Sequence, residues 1–225
     1  MNASDETVQR LAGIVASLSL GHPTRVAIDG RSAAGKTTLT DKLAQAVHAN
    51  GREVLRASID DFHRSGHRDR GRHGGWTPQS YYDEGYDYQA FRDLVLAPLG
   101  PGGRRRCRTA LFDSLADRPF PEAWISVGDQ DVAIIDGIFL LRPEFADQWD
   151  FIIWLDIDME TMVQRACDRD VAWVGSAQEV EDRYRRHWIP THELYERLTS
   201  PSAQAHAVID NRCCAAPKVV RLSLP

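Results

Sequence analysis

Lysine is almost missing from this chain. Lys36, Lys42 and Lys218 are the only three, so nearly all basic charge is arginine. Net charge is −5 at pH 7, which argues against a general nucleic-acid coat or a binder of anionic membranes. Long apolar runs are also absent. The longest candidate, 132–141, is interrupted by Asp136 and Gly137, whereas a membrane span needs roughly 20 residues. The opening segment MNASDETVQR has no basic stretch followed by an apolar one, so no secretory signal is expected. Cys107, Cys167, Cys213 and Cys214 form no C-x-x-C pair, and the adjacent two make a poor staple. Free thiols in a reducing compartment follow, and with them a soluble cytoplasmic protein.

What is present fits an ordinary globular core: 43% hydrophobic and 26% charged residues in a chain of 225. The pattern predicts one domain over 1–225, with a helix near 1–20, an insert at about 63–127 and a lid at about 165–200. Val8, Leu11, Val15 and Leu18 share one helical face. Residues 25–29 (RVAID) read as a buried strand, and Leu39, Leu43, Ala46 and Val47 mark a helix with Gly51 as its C-cap. Residues 53–59, 131–136 (DVAIID), 151–156 (FIIWLD), 207–210 and 218–222 read as further strands. A helix is expected from about 157 to 169, then a polar one over 178–198 broken at Pro190. Segments 109–115 and 124–127 suggest a small hairpin. Strands alternating with helices imply a three-layer α/β/α fold with a mainly parallel sheet.

Residues 30–37 read GRSAAGKT, a full match to G-x-x-x-x-G-K-[ST] set between a predicted strand and a predicted helix. Gly30 and Gly35 let the backbone curl so that amides through Arg31, Ser32, Ala33 and Ala34 turn toward a phosphate. The helix beginning at Lys36, Thr37 and Thr38 presents its positive end to the same anion. Lys36 can reach the β and γ oxygens of ATP, and the Thr37 hydroxyl can ligate Mg²⁺. A second acid at the end of a neighbouring strand should hold the metal. Asp136 and Asp156 both qualify; Asp136 is preferred because Gly137 permits close approach. Asp60 and Asp61 end another strand, and either could accept a proton from an acceptor hydroxyl.

Taken together, the Walker loop, the segment 59–64 (IDDFHR), Tyr82-Asp83, Phe112-Asp113, 134–139 (IDGIF after Ile134) and the R-x-x-x-R-D of 165–170 resemble the uridine kinase and phosphoribulokinase family of P-loop kinases. The likeness runs over about 26–211. It implies a uridine kinase-like phosphotransferase using ATP and Mg²⁺, with a small-molecule acceptor such as a nucleoside, and neither nucleic acid nor membrane as partner. A homo-oligomer stays open, as do two alternatives: a kinase for pantothenate, a sugar or a sugar phosphate, and a non-catalytic ATP-binding regulatory module. It further implies Asp60 rather than Asp61 as the base, His63 and Arg64 beside the acceptor, and Asp83 on ribose hydroxyls. Tyr82 and Phe112 are placed with that acceptor set, and Arg165 and Arg169 as lid arginines closing on the triphosphate, Arg169 with a catalytic share.

The chain departs from the family pattern at two places. Phe112 stands where uridine kinases have a tyrosine, and Asp117 where they have a base-reading histidine. Segment 63–76 is unusual too. His63, His67 and His73 with Arg64, Arg68, Arg70 and Arg72 predict a mobile basic loop, either a solvated lid or a binder of a phosphorylated acceptor. Those histidines lack a carboxylate or cysteine at metal-ligand spacing. The tryptophans read as core or lid packing, and Arg183, Arg185, Arg186 and His187 as a solvated helical face.

Overall fold

In a computed structural model, residues 3–72 and 74–224 are described. A six-stranded sheet forms the centre. Its strands are β1 (Thr24–Gly30), β2 (Val54–Ser58), β3 (Val132–Asp136), β4 (Phe151–Asp156), β5 (Ala207–Asp210) and β6 (Lys218–Leu222), in spatial order β6-β5-β4-β1-β3-β2. All neighbours run parallel except β6, which pairs antiparallel with β5 through a bulge between Val219 and Arg221. β1 therefore lies between β3 and β4, and all three end on the same edge, where ligands bind in open α/β sheets.

The central strands β1, β3 and β4 are buried on both faces because their side chains alternate between two cores. Val26 and Ile28 of β1, Val132 and Ile134 of β3, and Phe151, Ile153 and Leu155 of β4 enter one core. There they meet Val8, Leu11, Ala12 and Val15 of helix α1 (Ala3–Ser17) and Leu43, Ala46 and Val47 of helix α2 (Lys36–Ala49). Ala27, Ala133, Ile135, Ile152 and Trp154 enter the other core, which is rich in aromatic rings: Phe62, Tyr81, Tyr82, Tyr86, Phe91, Phe139 and Tyr195. Each fully buried Val, Leu or Phe contributes about 1.5–3 kcal/mol. The α1 face fits the expected spacing, except that Leu18 falls just beyond the helix end. Asn50 caps α2, and Gly51 follows it at φ +84°, the position where a left-handed residue ends a helix.

Several local expectations are corrected. Segment 63–76 holds a short helix, α3 (His67–Arg72), with His63 buried ahead of it and Trp76 packed on the aromatic core. His73 lies outside the described residues, as does the side chain of Arg72. The expected hairpin is instead two two-residue ladders: Phe112–Asp113 pairs with Arg118–Pro119, and Arg106–Cys107 with Ile125–Ser126. The helix after β4, α4 (Met159–Val174), continues past Arg169 to a cap at Gly175.

Pro190 does not break its helix. Residues 177–199 run without interruption through a π turn at Tyr184–Trp188, directly before the proline. A second π turn, Arg92–Leu96, precedes Pro98 in the same way. A proline has no N–H for the carbonyl four residues back; the Leu94 carbonyl, so released, accepts the Arg108 N–H at 3.0 Å.

Gly137 has φ +157°, and a Cβ there would lie 2.3 Å from Cγ2 of Ile59. The glycine thus lets the Ile59-Asp60-Asp61 turn approach the end of β3. Gly137→Ala is expected to destabilise the protein by about 2–4 kcal/mol, from overpacking plus backbone strain; urea denaturation at pH 7 would measure it.

Candidate active site

The turn from β1 into α2 is stabilised from beneath. Gly30, at φ +155°, lies so close to β4 that a Cβ would sit 2.4 Å from the Leu155 carbonyl oxygen. Asp29 before it is fully buried. Its carboxylate accepts the Gly30 N–H at 2.6 Å, the Leu140 N–H at 3.0 Å and the Tyr195 hydroxyl at 2.5 Å. Burial nonetheless pushes Asp29 up to about 6, because three hydrogen bonds and nearby Lys36 only partly offset the lost hydration. Asp29 was not singled out by its sequence context; the buried strand pattern gave no sign that an acid would be tied down there.

Above the turn, Lys36 donates from Nζ to the carbonyls of Gly30 (3.0 Å) and Arg31 (2.9 Å). Burial lowers its pKa, opposed by the charges of Asp29, Asp60 and Asp136. The Thr37 hydroxyl donates to Asp136 Oδ2 at 2.9 Å. Asp136 is buried, which raises its pKa against the pull of Thr37 and Lys36. Asp156, the competing acid, binds Arg31 at 3.0 Å and accepts the Trp154 indole N–H at 3.3 Å.

A cavity of about 640 Å³ opens over this loop, within the range of small-molecule sites. Of the residues singled out from sequence, Ser32, Ala33, Gly35, Lys36, Thr37, Thr38, Asp60, His63, Asp136, Arg165 and Arg169 line it. Asp60 lines the cavity and accepts the Tyr86 hydroxyl on Oδ1 at 2.8 Å. His63 Nδ1 lies 2.6 Å from the Asp60 carbonyl oxygen. A carbonyl only accepts, so Nδ1 carries the proton and Nε2 is left as an acceptor; burial holds the ring neutral. Asp61 is outside the cavity lining, and burial beside Asp60, Asp136 and Asp113 raises it to about 6. Arg169 is held by Asp170 (2.6 and 2.9 Å) and by the Tyr184 hydroxyl (3.0 Å), and Arg165 donates to the carbonyls of Asn211 and Arg212.

The remaining candidates lie elsewhere. Ala34 is in the core and Gly30 beneath the loop. Arg31 is ion-paired to Glu196 at 2.6 Å and to Asp156. Arg64 is exposed and outside the cavity. Tyr82 is covered by the Arg142 guanidinium, 4.0 Å from its ring centre. Asp83 is exposed and accepts from Gln79 at 2.9 Å. Phe112 is buried and bridged to Phe62. Asp117, at φ +47°, accepts the Gly66 N–H at 3.1 Å and ties two turns together.

The cavity is further lined by His67, Trp76, Tyr81, Tyr86, Ser114, Ile138 and Trp188. The His67 ring lies 3.9 Å from that of His63, and the Tyr81 ring 4.7 Å from that of Trp188. Burial, with the neighbouring His63, Arg68 and Arg70, lowers His67 to about 3, so both histidines are neutral. Arg70 is paired with Glu84 at 2.7 Å and stacked on Trp76. Of the basic segment, Arg68 reaches the cavity as a cation, near the Trp173 ring that Arg183 also faces. Arg183 and His187, read as solvated, line the cavity, whereas Arg185 and Arg186 pair with exposed acids. The aromatic run 81–88 was the visible signal for this lining; which of its rings face inward was not.

With the geometry in hand, comparison with known proteins gives a consistent result. The sequence model of the phosphoribulokinase / uridine kinase family matches residues 26–214, and the chain belongs to that family. Uridine-cytidine kinase B of Dictyostelium discoideum is 26% identical over 163 residues, covering 70% of this chain and 63% of that protein. Uridine-cytidine kinase A of the same organism is 27% identical over 165 residues, covering 72% of this chain and 31% of that protein. The chain thus spans less than two thirds of either relative. A possible uridine kinase from Bacillus stearothermophilus superposes with a TM-score of 0.70 at 20% identity, over 90% of this chain and 97% of that one. This likeness is one of fold: three layers around a mainly parallel sheet. Among the described residues no helix is long and apolar enough to cross a membrane.

Asp29 supplies a pH test. Its native pKa of about 6 exceeds the unfolded value of 3.8, so the native state holds the proton more tightly. Its contribution is fully present below about pH 4 and lost as pH rises through about 6, with an upper limit of about 3 kcal/mol. In urea titrations, wild type should gain stability relative to Asp29→Asn as pH falls from 7 to 4.5. At pH 7 the variant should be weaker by about 1–3 kcal/mol, because its amide group faces a donor.

Proposed function

We propose that this family member is an ATP- and Mg²⁺-dependent kinase that phosphorylates a hydroxyl group of a small molecule, most simply the 5′-hydroxyl of a nucleoside such as uridine or cytidine. The observation that carries the reading is one cavity lined by both the phosphate loop and Asp60, whose charge acts on Lys36 and Asp136. The curated relatives, both named uridine-cytidine kinases, support the nucleoside.

The residues present fit the donor. The Thr37 hydroxyl and Asp136 carboxylate, 2.9 Å apart, form a hard-oxygen pair. Among the described residues no cluster of three or more His, Cys, Asp or Glu side chains could hold a metal alone. That suits a cation bound by one or two protein oxygens and completed by phosphates. Bound there, Mg²⁺ would offset charge on the phosphate oxygens. The loop amides and the start of α2 would orient the phosphates. Lys36 would exchange its carbonyl partners for phosphate oxygens, and Arg165 and Arg169 would face the same charge from the lid side. Asp60 Oδ2 would accept the proton of the acceptor hydroxyl while Tyr86 fixes Oδ1. Aromatic walls around the acceptor would exclude water and limit transfer to it.

A second reading has its own support. Tyr82, Asp83, Phe112 and Asp117, the set implied for nucleoside recognition, are outside the cavity, and neutral rings take their place. The acceptor could then be another hydroxyl compound: pantothenate, a sugar or a sugar phosphate.

ADP release from ATP–Mg²⁺ with a panel of nucleosides, sugars, sugar phosphates and pantothenate distinguishes the two. Turnover with uridine or cytidine supports the first; turnover confined to other acceptors replaces it with the second, and none with any acceptor rejects both. Lys36→Ala is expected to lower kcat at least ~10²-fold. Asp60→Asn should abolish turnover and leave ATP affinity within about threefold; the same loss in Asp61→Asn instead would reassign the base.

A further inference from the structure

The phosphate loop is gripped from the side by one helix. Residues Ile189–Thr199 present His192, Tyr195 and Glu196 at i, i+3 and i+4, one face of a helical turn. They meet Ser32, Asp29 and Arg31 in turn. His192 makes the most specific of these contacts. It is wholly buried, and its Nε2 lies 3.1 Å from the Ser32 amide nitrogen and 3.0 Å from Ser32 Oγ. A backbone N–H can only donate, so Nε2 accepts and the proton resides on Nδ1, which has no partner among the described residues. Such an unpartnered buried N–H is unfavourable. That cost is tolerated to give the Ser32 amide an acceptor that remains neutral, since burial between Lys36 and Arg31 opposes protonation.

The contact has a chemical consequence. Loop amides hold a phosphate well only if they already point at it. The Ser32 N–H is directed out of the loop, toward the helix, and with it the third position of the G-x-x-x-x-G-K-T turn is fixed. Two flanking attachments, Tyr195 on Asp29 and Glu196 on Arg31, leave that segment little freedom to rotate. Resting on the reading of this loop as an ATP site, we propose that His192 is a positioning residue that preorganises the phosphate loop through the Ser32 amide, with Glu196 reinforcing it through Arg31.

The test is the dissociation constant for MgATP and MgADP, measured by calorimetry on the intact protein, alongside melting temperature. His192→Gln can place an acceptor oxygen near the position of Nε2, whereas the shorter His192→Asn cannot. His192→Asn should weaken both nucleotides about tenfold, as expected for loss of about 1.4 kcal/mol of preorganisation. His192→Gln should recover affinity to within about threefold of wild type. A purely structural role would lower the melting temperature of both variants and leave affinity unchanged, which would overturn the proposal, as would an equal loss of affinity in both. Should His192→Asn fail to fold, Glu196→Ala, at a position a quarter exposed, gives the same reading: about threefold weaker nucleotide supports the grip, and wild-type affinity overturns it. Wild type that binds no nucleotide at all would instead remove the ATP-site reading on which the proposal rests.

Discussion

A strand must end, reverse its backbone and begin a helix within a few residues. Everything around the site follows from that constraint. Gly30 can press against the Leu155 carbonyl because it has no side chain. Asp29 can be buried because three donors converge on it. The loop itself offers few internal bonds to hold its shape, so rigidity comes from neighbours: β4 below, the 138–141 segment behind, and the helix 189–199 at the side. Anchoring a binding loop on packed elements is what separates a preformed site from a flexible one.

The fold was largely legible in the sequence because its signals are local. Strands β1, β3 and β4 are short apolar runs with an acid at or near the end, and the loop is a contiguous motif. The aromatic lining of the cavity was not, and Tyr81 and Tyr82 show why. They are adjacent on one short helix, Pro78–Glu84, and so point about 100° apart. Tyr81 lines the cavity, while Tyr82 turns beneath Arg142. Choosing between them requires the position of Arg142, sixty residues away in sequence. The same applies to His67, which looked like part of a solvated loop until Trp76 and Tyr81 were seen beside it. Of Asp60 and Asp61, the sequence alone could not choose, whereas the structure turns only Asp60 toward the cavity.

Arginine abundance is also less informative than it looks. Arg25 serves Asp150, Arg31 bridges Glu196 and Asp156, and Arg142 sits over two tyrosine rings. These planar cations hold elements together and leave little free charge for a ligand. Lys36, Arg68, Arg165, Arg169 and Arg183 remain as cavity-lining cations. Neutral rings, among them His63, His67, Trp76, Tyr81 and Tyr86, make up much of the remaining lining.

The π turn at Tyr184–Trp188 is in effect one extra residue threaded into a helix. Tyr184, His187 and Trp188 within it face the cavity, and His192, Tyr195 and Glu196 beyond it face the phosphate loop. The two groups occupy different angular sectors of one rod, and the added residue sets the phase between them. Chain length in this segment is therefore under a tighter constraint than residue identity. A one-residue deletion there would turn every downstream side chain by about 100°, disengaging the loop without altering a single residue that touches it.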